Sequence, residues 1–278
     1  MSSGKRAVKA TSFAWAEAPD IRSVHQALVR AYGVRKRPAR RRTPEPLLDV
    51  LIRTVLSQNT TDALSERAYR QLRQRFSRWS EVLSATQQEV EGAIRVGGLA
   101  RVRAQHIRDI LQRVADARGV QRVCGHEDLS LEHLQAWSTP DVMQALTQHR
   151  GVGQKTAACV VLFGLRRDDV FPVDTHIHRV AQRLGWLGTG VAREDTQAAL
   201  NEAVPDALKY ALHLLLIAHG KRVCRARTPR CAECVLAPLG CRWYATADKV
   251  DAADIEGVGD GRRGQMSRKR RRSGGTER

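Results

Sequence analysis

The sequence predicts an all-α protein built around two helices joined by a glycine hairpin. Apolar residues recur at helical spacing through most of the chain, and no run alternates apolar and polar residues as a half-buried strand would. Gly151 and Gly153 flank Val152, with a helical pattern before them over 141–146 and an apolar, proline-free stretch after them over 156–165. Because glycine adopts positive φ at little steric cost, this spacing favours a tight turn between two helices.

Composition indicates a nucleic-acid partner. The 278-residue chain carries a formal net charge of +18, and only eight of its 47 basic residues are lysine. A surplus of this size usually indicates a polyanionic partner, and a basic tail alone explains only part of it. The longest apolar run, 157–165, is too short to cross a bilayer, and the N-terminal residues lack a secretory h-region. We therefore expect a cytoplasmic protein without a membrane partner, associated with the nucleoid if the source is bacterial.

The elements before the hairpin are predicted to be helices separated by charged or polar linkers. Residues 1–20 are expected to be a flexible basic leader, and Asp20 is placed to cap a helix over 21–32. Residues 34–46 contain several arginines and three prolines, which predict a charged linker. Further helices are expected over 47–56, 63–76, 81–97, 103–118 and 130–137.

Two interruptions between these helices carry candidate contacts to DNA. The polar run 57–62 contains Gln58 and Asn59, and its simplest role is to supply the N-cap of the next helix. Leu99 follows two glycines and lies beside arginines. It either folds into the core, which is the commoner fate of leucine, or stays exposed as a wedge between bases.

The hairpin suggests a phosphate site and a nucleophile. Arg150 precedes Gly151, and unpaired backbone N–H groups at the start of a helix bind phosphate well. Lys155 falls in the first turn of the second helix, where the helix dipole disfavours a cation. Two interpretations remain open. Lys155 either contacts a phosphate or, as a neutral amine, attacks an electrophilic carbon and forms a Schiff base.

A carboxylate follows the hairpin lysine by nineteen residues. Pro172 bars a helix before it, so Asp174 is placed as the N-cap of a helix over 174–184. Capping does not exclude a second role, because it fixes the geometry of the carboxylate. Two more helices are expected over 193–203 and 206–219, the second ended by Gly220.

Four of the six cysteines fall within eighteen residues, with the spacing C-x6-C-x2-C-x6-C. Such a group can ligate zinc or an iron–sulfur cluster, or form two disulfides. Disulfides are uncommon in a chain without a secretory signal. A zinc knuckle usually has two C-x2-C pairs, and this sequence has one, so iron is favoured over zinc. The four residues are Cys224, Cys231, Cys234 and Cys241.

Together, the Gly-Val-Gly-Gln-Lys-Thr-Ala hairpin, the Val-Asp-Thr-His-Ile-His-Arg-Val segment and the cysteine spacing resemble the endonuclease III family of DNA glycosylases. The resemblance covers about residues 21–244. It implies a two-lobed helix-hairpin-helix DNA glycosylase fold, with a six-helix barrel, an iron-sulfur-cluster domain and a DNA groove between the lobes. The implied division is 1–20 leader, 21–42 first helix and linker of the iron-sulfur lobe, 43–168 barrel lobe with the hairpin, 169–244 iron-sulfur lobe and 245–278 basic disordered tail.

The resemblance also implies a monomer that removes oxidised pyrimidines from duplex DNA, cuts the strand at the abasic site and carries a 4Fe-4S cluster on the four cysteines. By position, Lys155 matches the nucleophile and Asp174 the catalytic carboxylate. Asn59 and Leu99 match the residues that fill the gap left by the flipped base. The other positions expected to contact DNA are Gln58, Arg150, Gly151, Val152, Gly153 and His176.

Three departures from the family pattern bear on rate and lesion preference. The last cysteine gap has six residues where the family usually has five, Arg150 replaces a proline, and Asn59 replaces a glutamine. Two alternatives fit the sequence less well. Adenine glycosylases share the cluster but typically lack the hairpin lysine, and a non-catalytic protein that binds damaged or bent DNA would not need both Lys155 and Asp174.

Overall fold

The computed structural model describes residues 18–39, 44–117, 129–188 and 190–246. All regular elements in these ranges are helical and none is a strand, which confirms the all-α prediction. None of the helices there combines the length and the apolar character that a membrane span needs. Most of the predicted leader and tail, together with Cys124, lie outside the described residues.

The α-helices and the shorter helical turns follow one another through these ranges. The α-helices are α1 Ile21–Tyr32, α2 Leu47–Leu56, α3 Asp62–Arg75, α4 Trp79–Ser84, α5 Gln87–Ile94, α6 Ala100–Ala117, α7 Thr139–Thr147, α8 Gln154–Cys159, α9 Thr175–Leu184, α10 Arg193–Ala203 and α11 Asp206–Arg222. The 3₁₀ turns are Arg95–Gly97, Glu132–Ala136, Cys231–Glu233 and Ala237–Leu239, and a π-helical turn spans Val160–Leu165.

The single helix predicted over 81–97 is two helices, α4 and α5, because a capping box interrupts it. The Thr86 hydroxyl accepts from the Glu89 backbone N–H at 3.3 Å, and the Glu89 carboxylate accepts from the Thr86 backbone N–H at 2.9 Å. The two residues therefore satisfy backbone donors that would otherwise be unpaired at the start of α5. The expected helix over 130–137 is likewise only a short 3₁₀ turn.

α11 continues through Gly220, where the sequence predicted its end. This glycine serves a close approach of two helices. A Cβ atom at Gly220 would lie 2.8 Å from the Cβ of His176 at the start of α9. The second helix of the hairpin unit also differs from the prediction, since α8 gives way at Val160 to the wider π-helical turn.

Two separate clusters of buried apolar side chains lie beneath these helices. The first gathers α2 to α8 and the π-helical turn and includes the fully buried Trp79. The second gathers α1 with α9, α10 and α11 and includes Phe171 and Trp186. The first helix of the chain therefore packs onto the last ones, and α1 contacts α11. Lys221 of α11 forms a 3.0 Å ion pair with Asp62 of α3, which links the two halves.

Candidate active site

A cleft of about 1300 Å³ is lined by residues from both halves of the molecule. The first half contributes the α2–α3 loop, the glycine hairpin and α8, and the second contributes the start of α9 with parts of α10 and α11. Most of the predicted site residues line this cleft, whereas Leu99 and Arg150 lie outside its lining. The residues that it brings together are Gln58, Asn59, Gly151, Val152, Gly153, Lys155, Asp174 and His176.

The glycine hairpin is a tight turn that is fixed by steric contact with α6 and by packing against the first core. Gly151 has a φ of 81°, and a Cβ atom there would lie 2.2 Å from Nδ1 of His106 on α6. Val152 is buried in the first core, and its backbone N–H donates to the His149 carbonyl at 3.0 Å. Gly153 is the N-cap of α8. Gly153 and the first residues of α8, Gln154 and Lys155, line the cleft, and no side chain caps this end of the helix.

Lys155 is half-buried in the first turn of α8 and hydrogen-bonds the Cys159 thiol one turn further on. Burial raises the pKa of this thiol, although the Lys155 charge and its hydrogen bond act in the opposite direction. Burial also lowers the pKa of His213 on α11 to about 4, assisted by the Lys155 charge and opposed by Asp174. Both buried neighbours are therefore neutral near pH 7.

Asp174 is the N-cap of α9, as the sequence predicted. Its Oδ1 accepts from the Ile177 backbone N–H at 2.8 Å, which fixes the carboxylate, and the side chain is half-buried at the cleft. The charges of Asp174 and Lys155 both act on Cys159 and on His213. The amine and the carboxylate therefore occupy the same end of the cleft.

Gln58 and Asn59 have different environments although they are adjacent. The Gln58 side-chain amide donates to the Gly151 carbonyl at 2.9 Å and to the Thr156 hydroxyl at 3.1 Å, so it braces the hairpin. Asn59 is exposed and adopts a left-handed φ of 49°. Asn59 therefore lines the cleft with an exposed side chain that is available to a ligand.

Leu99 is 57% exposed and also has a φ of 49°. The interpretation that it folds into the core is therefore wrong. A leucine is rarely held both exposed and left-handed, because each condition is unfavourable for this side chain. The exposed position fits the wedge interpretation.

His176 presents a defined hydrogen-bond donor to the cleft. Its Nδ1 lies 3.1 Å from Nη2 of Arg179, and because a guanidinium only donates, Nδ1 accepts. The ring proton is then on Nε2. Arg179 is itself fixed by the carbonyls of Gly220 and Cys224 at 2.9 and 2.8 Å.

The four clustered cysteines all border one pocket beside the second core, together with apolar residues such as Leu184 and Leu236. Within the described residues, no group of three or more His, Cys, Asp or Glu side chains is arranged around a single metal ion. A polynuclear cluster needs thiols spread around a larger centre, so the shared pocket remains compatible with one. Arg183 donates to the Cys224 sulfur at 3.3 Å, and such hydrogen bonds are a common way to tune a cluster.

Three buried residues near the cleft or near the loops that carry Asn59 and Leu99 were not predicted from the sequence. Cys159 lies one helical turn after Lys155, so helical spacing alone could have suggested it. His213 lines the cleft from α11, and Arg103 on α6 lies outside the cleft lining but donates to the carbonyl of Gln58; no local motif indicates either contact.

An all-α chain with a glycine hairpin, and with a lysine and an aspartate at one end of a cleft, has the architecture of a helix-hairpin-helix enzyme that acts on DNA. Residues 52–206 match the model of the HhH-GPD superfamily base excision DNA repair proteins. This match covers more than half of the 278-residue chain, which belongs to that family.

Comparison with curated and solved proteins points to one branch of this family. A putative DNA glycosylase of Arabidopsis thaliana is 43% identical over 177 residues, which are 64% of this chain but only 57% of that relative. Endonuclease III of Thermotoga maritima is 30% identical over 216 residues, 78% of this chain and 92% of the relative. A non-covalent endonuclease III–DNA complex has 25% identity and a TM-score of 0.62, covering 82% of this chain and 97% of that one. The protein is therefore an endonuclease III-like helix-hairpin-helix glycosylase of base excision repair.

Proposed function

We propose that this protein is a bifunctional DNA glycosylase and abasic-site lyase that acts on oxidised pyrimidines in duplex DNA, as a monomer. The observation that carries the proposal is the placement of Lys155 and Asp174 at one end of the cleft, beside two neutral buried groups. The neutral Cys159 thiol does not compete with Asp174 for positive charge, and the neutral His213 imidazole supplies no positive charge that would pair with the carboxylate. The carboxylate can therefore act on charge that develops on the sugar.

The first part of the reaction is capture of an extruded nucleotide. The backbone N–H groups of Gly151 and Gly153 and the Arg150 side chain bind phosphates of the damaged strand, whereas the Val152 N–H is already paired with the His149 carbonyl. The exposed Leu99 separates bases, and Asn59 enters the gap, which offsets the few kcal/mol that unstacking costs. His176 donates its Nε2 proton to a phosphate oxygen near the flipped sugar.

The second part breaks the glycosidic bond. The neutral amine of Lys155 attacks C1′ while the C1′–N bond breaks, and the departing base takes up a proton. Asp174 stabilises the positive charge that grows on the sugar in this step. The ring then opens to a Schiff base between C1′ and Nζ.

Loss of a C2′ proton breaks the bond from C3′ to the phosphate oxygen, which is the β-elimination that cuts the strand. Water then hydrolyses the imine, releases the unsaturated aldehyde end and restores the free amine of Lys155.

We further propose that Cys224, Cys231, Cys234 and Cys241 hold a 4Fe-4S cluster. Support comes from the four thiols that border one pocket, from the hydrogen bond to the Cys224 sulfur and from the spacing, which a two-pair zinc knuckle would not have. When bound, such a cluster would cross-link the loop over 224–241 and could exchange one electron. The residues around it hold this loop against α9 and α11, away from the reacting sugar.

Borohydride trapping on a duplex that contains an abasic site tests the lysine mechanism directly, because borohydride reduces the Schiff base to a stable amine. The wild-type protein should become covalently attached to DNA, and Lys155→Gln should not. Lys221→Gln is the matched control, because Lys221 lines the same cleft but is paired with Asp62. Trapping by Lys155→Gln would place the nucleophile elsewhere. A wild-type protein that binds DNA but neither traps nor cuts it would support the non-catalytic alternative.

A further inference from the structure

A buried arginine joins the two loops that carry Leu99 and Asn59. Arg103 on α6 is only 3% exposed. Its Nη1 donates to the carbonyls of Gly97 and Gly98 at 2.6 and 2.8 Å, and its Nη2 donates to the carbonyl of Gln58. These acceptors lie immediately before the two exposed residues. No ion pair within the described residues includes Arg103.

The two exposed residues share a left-handed backbone conformation. Asn59 and Leu99 both have a φ of 49°, which asparagine tolerates but leucine seldom adopts. Such conformations persist only when surrounding contacts fix them. The Arg103 guanidinium supplies such contacts to both loops at once, because its rigid, planar fork can reach three carbonyls in fixed directions.

The backbone is shaped to admit this guanidinium. A Cβ atom at Gly97 would lie 3.1 Å from Nη1 of Arg103 and 3.1 Å from the Cβ of Ala68. Gly97 therefore leaves room for the side chain that holds its own carbonyl. Burial of a cation without an acidic partner costs free energy, because the charge loses its hydration. Its three hydrogen bonds are instead directed to two loops that face DNA.

We propose that Arg103 is the positioning residue that fixes the separation of Leu99 and Asn59, so that wedging and gap filling occur together during base extrusion. This inference rests on the proposed function and adds a residue that acts only on base extrusion. Arg103 does not line the cleft and cannot touch the reacting sugar. Its removal should therefore slow the extrusion of a paired base more than the processing of a site without a base.

The experiment compares two substrates under single-turnover conditions. Arg103→Met should slow release of an oxidised pyrimidine from duplex by about tenfold or more, since about 1.4 kcal/mol corresponds to tenfold in rate. Cutting of a preformed abasic site should change by less than about threefold, the effect expected of a loss below 0.7 kcal/mol. Arg103→Lys should restore only part of the rate, because an ammonium cannot span both loops as the fork does.

Arg108→Met is the matched control, because Arg108 lies on the same helix and donates to the backbone carbonyl of Ala85, outside both loops. Arg108→Met should lower the single-turnover rate only slightly, and to the same extent on both substrates. Equal loss on the two substrates for Arg103→Met would overturn the proposal and leave Arg103 as a purely structural residue. If Arg103→Met fails to fold, Gly97→Ala displaces the guanidinium with a smaller change. Gly97→Ala should then slow release of the oxidised base more than cutting of the abasic site.

A double-mutant cycle tests whether Arg103 acts through the wedge. Leu99→Ala alone should also slow base release from duplex, and Arg103→Met combined with Leu99→Ala should be little slower than either variant alone. Full additivity would mean that the two residues act independently and would overturn the proposal.

Fluorescence of 2-aminopurine next to the lesion separates this proposal from the catalytic one, because it reports unstacking without any bond breaking. Arg103→Met should reduce the fluorescence increase on binding even if the wild-type protein shows no catalysis. An undiminished increase would overturn the role of Arg103 whether or not the enzyme cuts DNA.

Discussion

Lys155 and Asp174 share two buried neighbours, and the neutrality of those neighbours shapes what each can do. The Cys159 thiol has a raised pKa and the His213 imidazole a pKa of about 4, so neither carries charge near pH 7. A thiolate at Cys159 would compete with Asp174 for positive charge, whereas a neutral thiol does not. The charge of Asp174, fixed by the Ile177 backbone N–H, therefore remains available to the sugar.

Asp174→Asn should separate base release from Schiff-base chemistry. Asparagine keeps the size of the side chain and caps helices well, so α9 should persist. Loss of the negative charge should slow release of an oxidised pyrimidine on the order of a hundredfold, the range for removal of one preorganised electrostatic contact. Borohydride trapping at a preformed abasic site should stay appreciable, because no base departs there. Asp141→Asn, an exposed acid in the first turn of α7, is the control, and equal loss on both substrates would contradict the assignment.

The buried imidazole of His213 should make the fold sensitive to acid. Its folded pKa of about 4 lies below the 6.5 expected for the unfolded chain, so the unfolded state binds more protons between these values. Its contribution to the free energy of unfolding is therefore complete above pH 6.5 and falls by about 3 kcal/mol as the pH drops towards 4. Denaturation by urea across this range should show a shallower pH dependence for His213→Gln. The control His133→Gln replaces an exposed histidine and should keep the wild-type dependence of unfolding free energy on pH. If His213→Gln and His133→Gln show the same pH dependence, the prediction is wrong.

How far these residues could be predicted depends on how local their signal is. Lys155 and Asp174 belong to short motifs with turn and capping chemistry, so sequence alone suggested them. His213 contacts the carbonyl of Pro172, 41 residues away, and Arg103 joins its own loop to the carbonyl of Gln58, 45 residues away, and no local motif reveals these contacts. The exposure of Leu99 depends on its left-handed backbone, and the sequence does not predict it because a leucine after two glycines fits a core position equally well.

At the scale of elements, the hairpin depends on the fit between Gly151 and the His106 ring of α6. Gly151→Ala should destabilise the protein by about 2 kcal/mol, because alanine is strained at positive φ and its Cβ would meet the ring at 2.2 Å. Thermal or urea unfolding measures this loss. Gly153→Ala is the control: its Cβ would meet nothing within 4 Å and its φ is −89°, so only a smaller capping effect is expected. Adding His106→Ala to Gly151→Ala should recover the steric part, and no recovery would contradict this explanation.

The ends of the helices show which element boundaries the sequence could not supply. The sequence predicts Asp20 and Asp174 as caps because their side chains suit that position, and both accept backbone hydrogen bonds. It predicts a helix end at Gly220 because glycine is common there, but the role of Gly220 is to let α11 approach His176. A glycine used for packing and a glycine used for termination cannot be distinguished without the neighbouring helix.

At the scale of the whole molecule, the cysteine pocket lies beside the second core and away from Lys155. The metal bound in this pocket can therefore be tested separately from catalysis. Protein purified without oxidants should be yellow-brown and contain about four irons per chain. Cys231→Ala should lower iron content and solubility before it affects trapping per folded molecule. Cys159→Ala, which removes a cysteine outside the pocket, should keep the iron. Stoichiometric zinc without iron would contradict the cluster.

The net charge of +18 is also a property of the whole chain, and part of it lies in residues 247–278, outside the described structure. From Arg262 onward this segment is rich in arginine, and the sequence predicts that it strengthens non-specific DNA binding. Each phosphate that it neutralises should contribute about 0.9 to the slope of log affinity against log salt. Removal of 247–278 should therefore flatten this slope. Because the truncation leaves the cleft intact, single-turnover cutting of an abasic duplex at saturating enzyme should not change.

Replacement of the same segment by glycine and serine of equal length is the matched control for the loss of chain. If arginine charge is responsible, this variant should behave as the truncation does. If the slope is steep in both variants, the charges of residues 1–246 account for DNA affinity, and the tail does not contact DNA. If only the truncation flattens the slope, the effect arises from chain length and not from counterion release, and the electrostatic explanation is wrong.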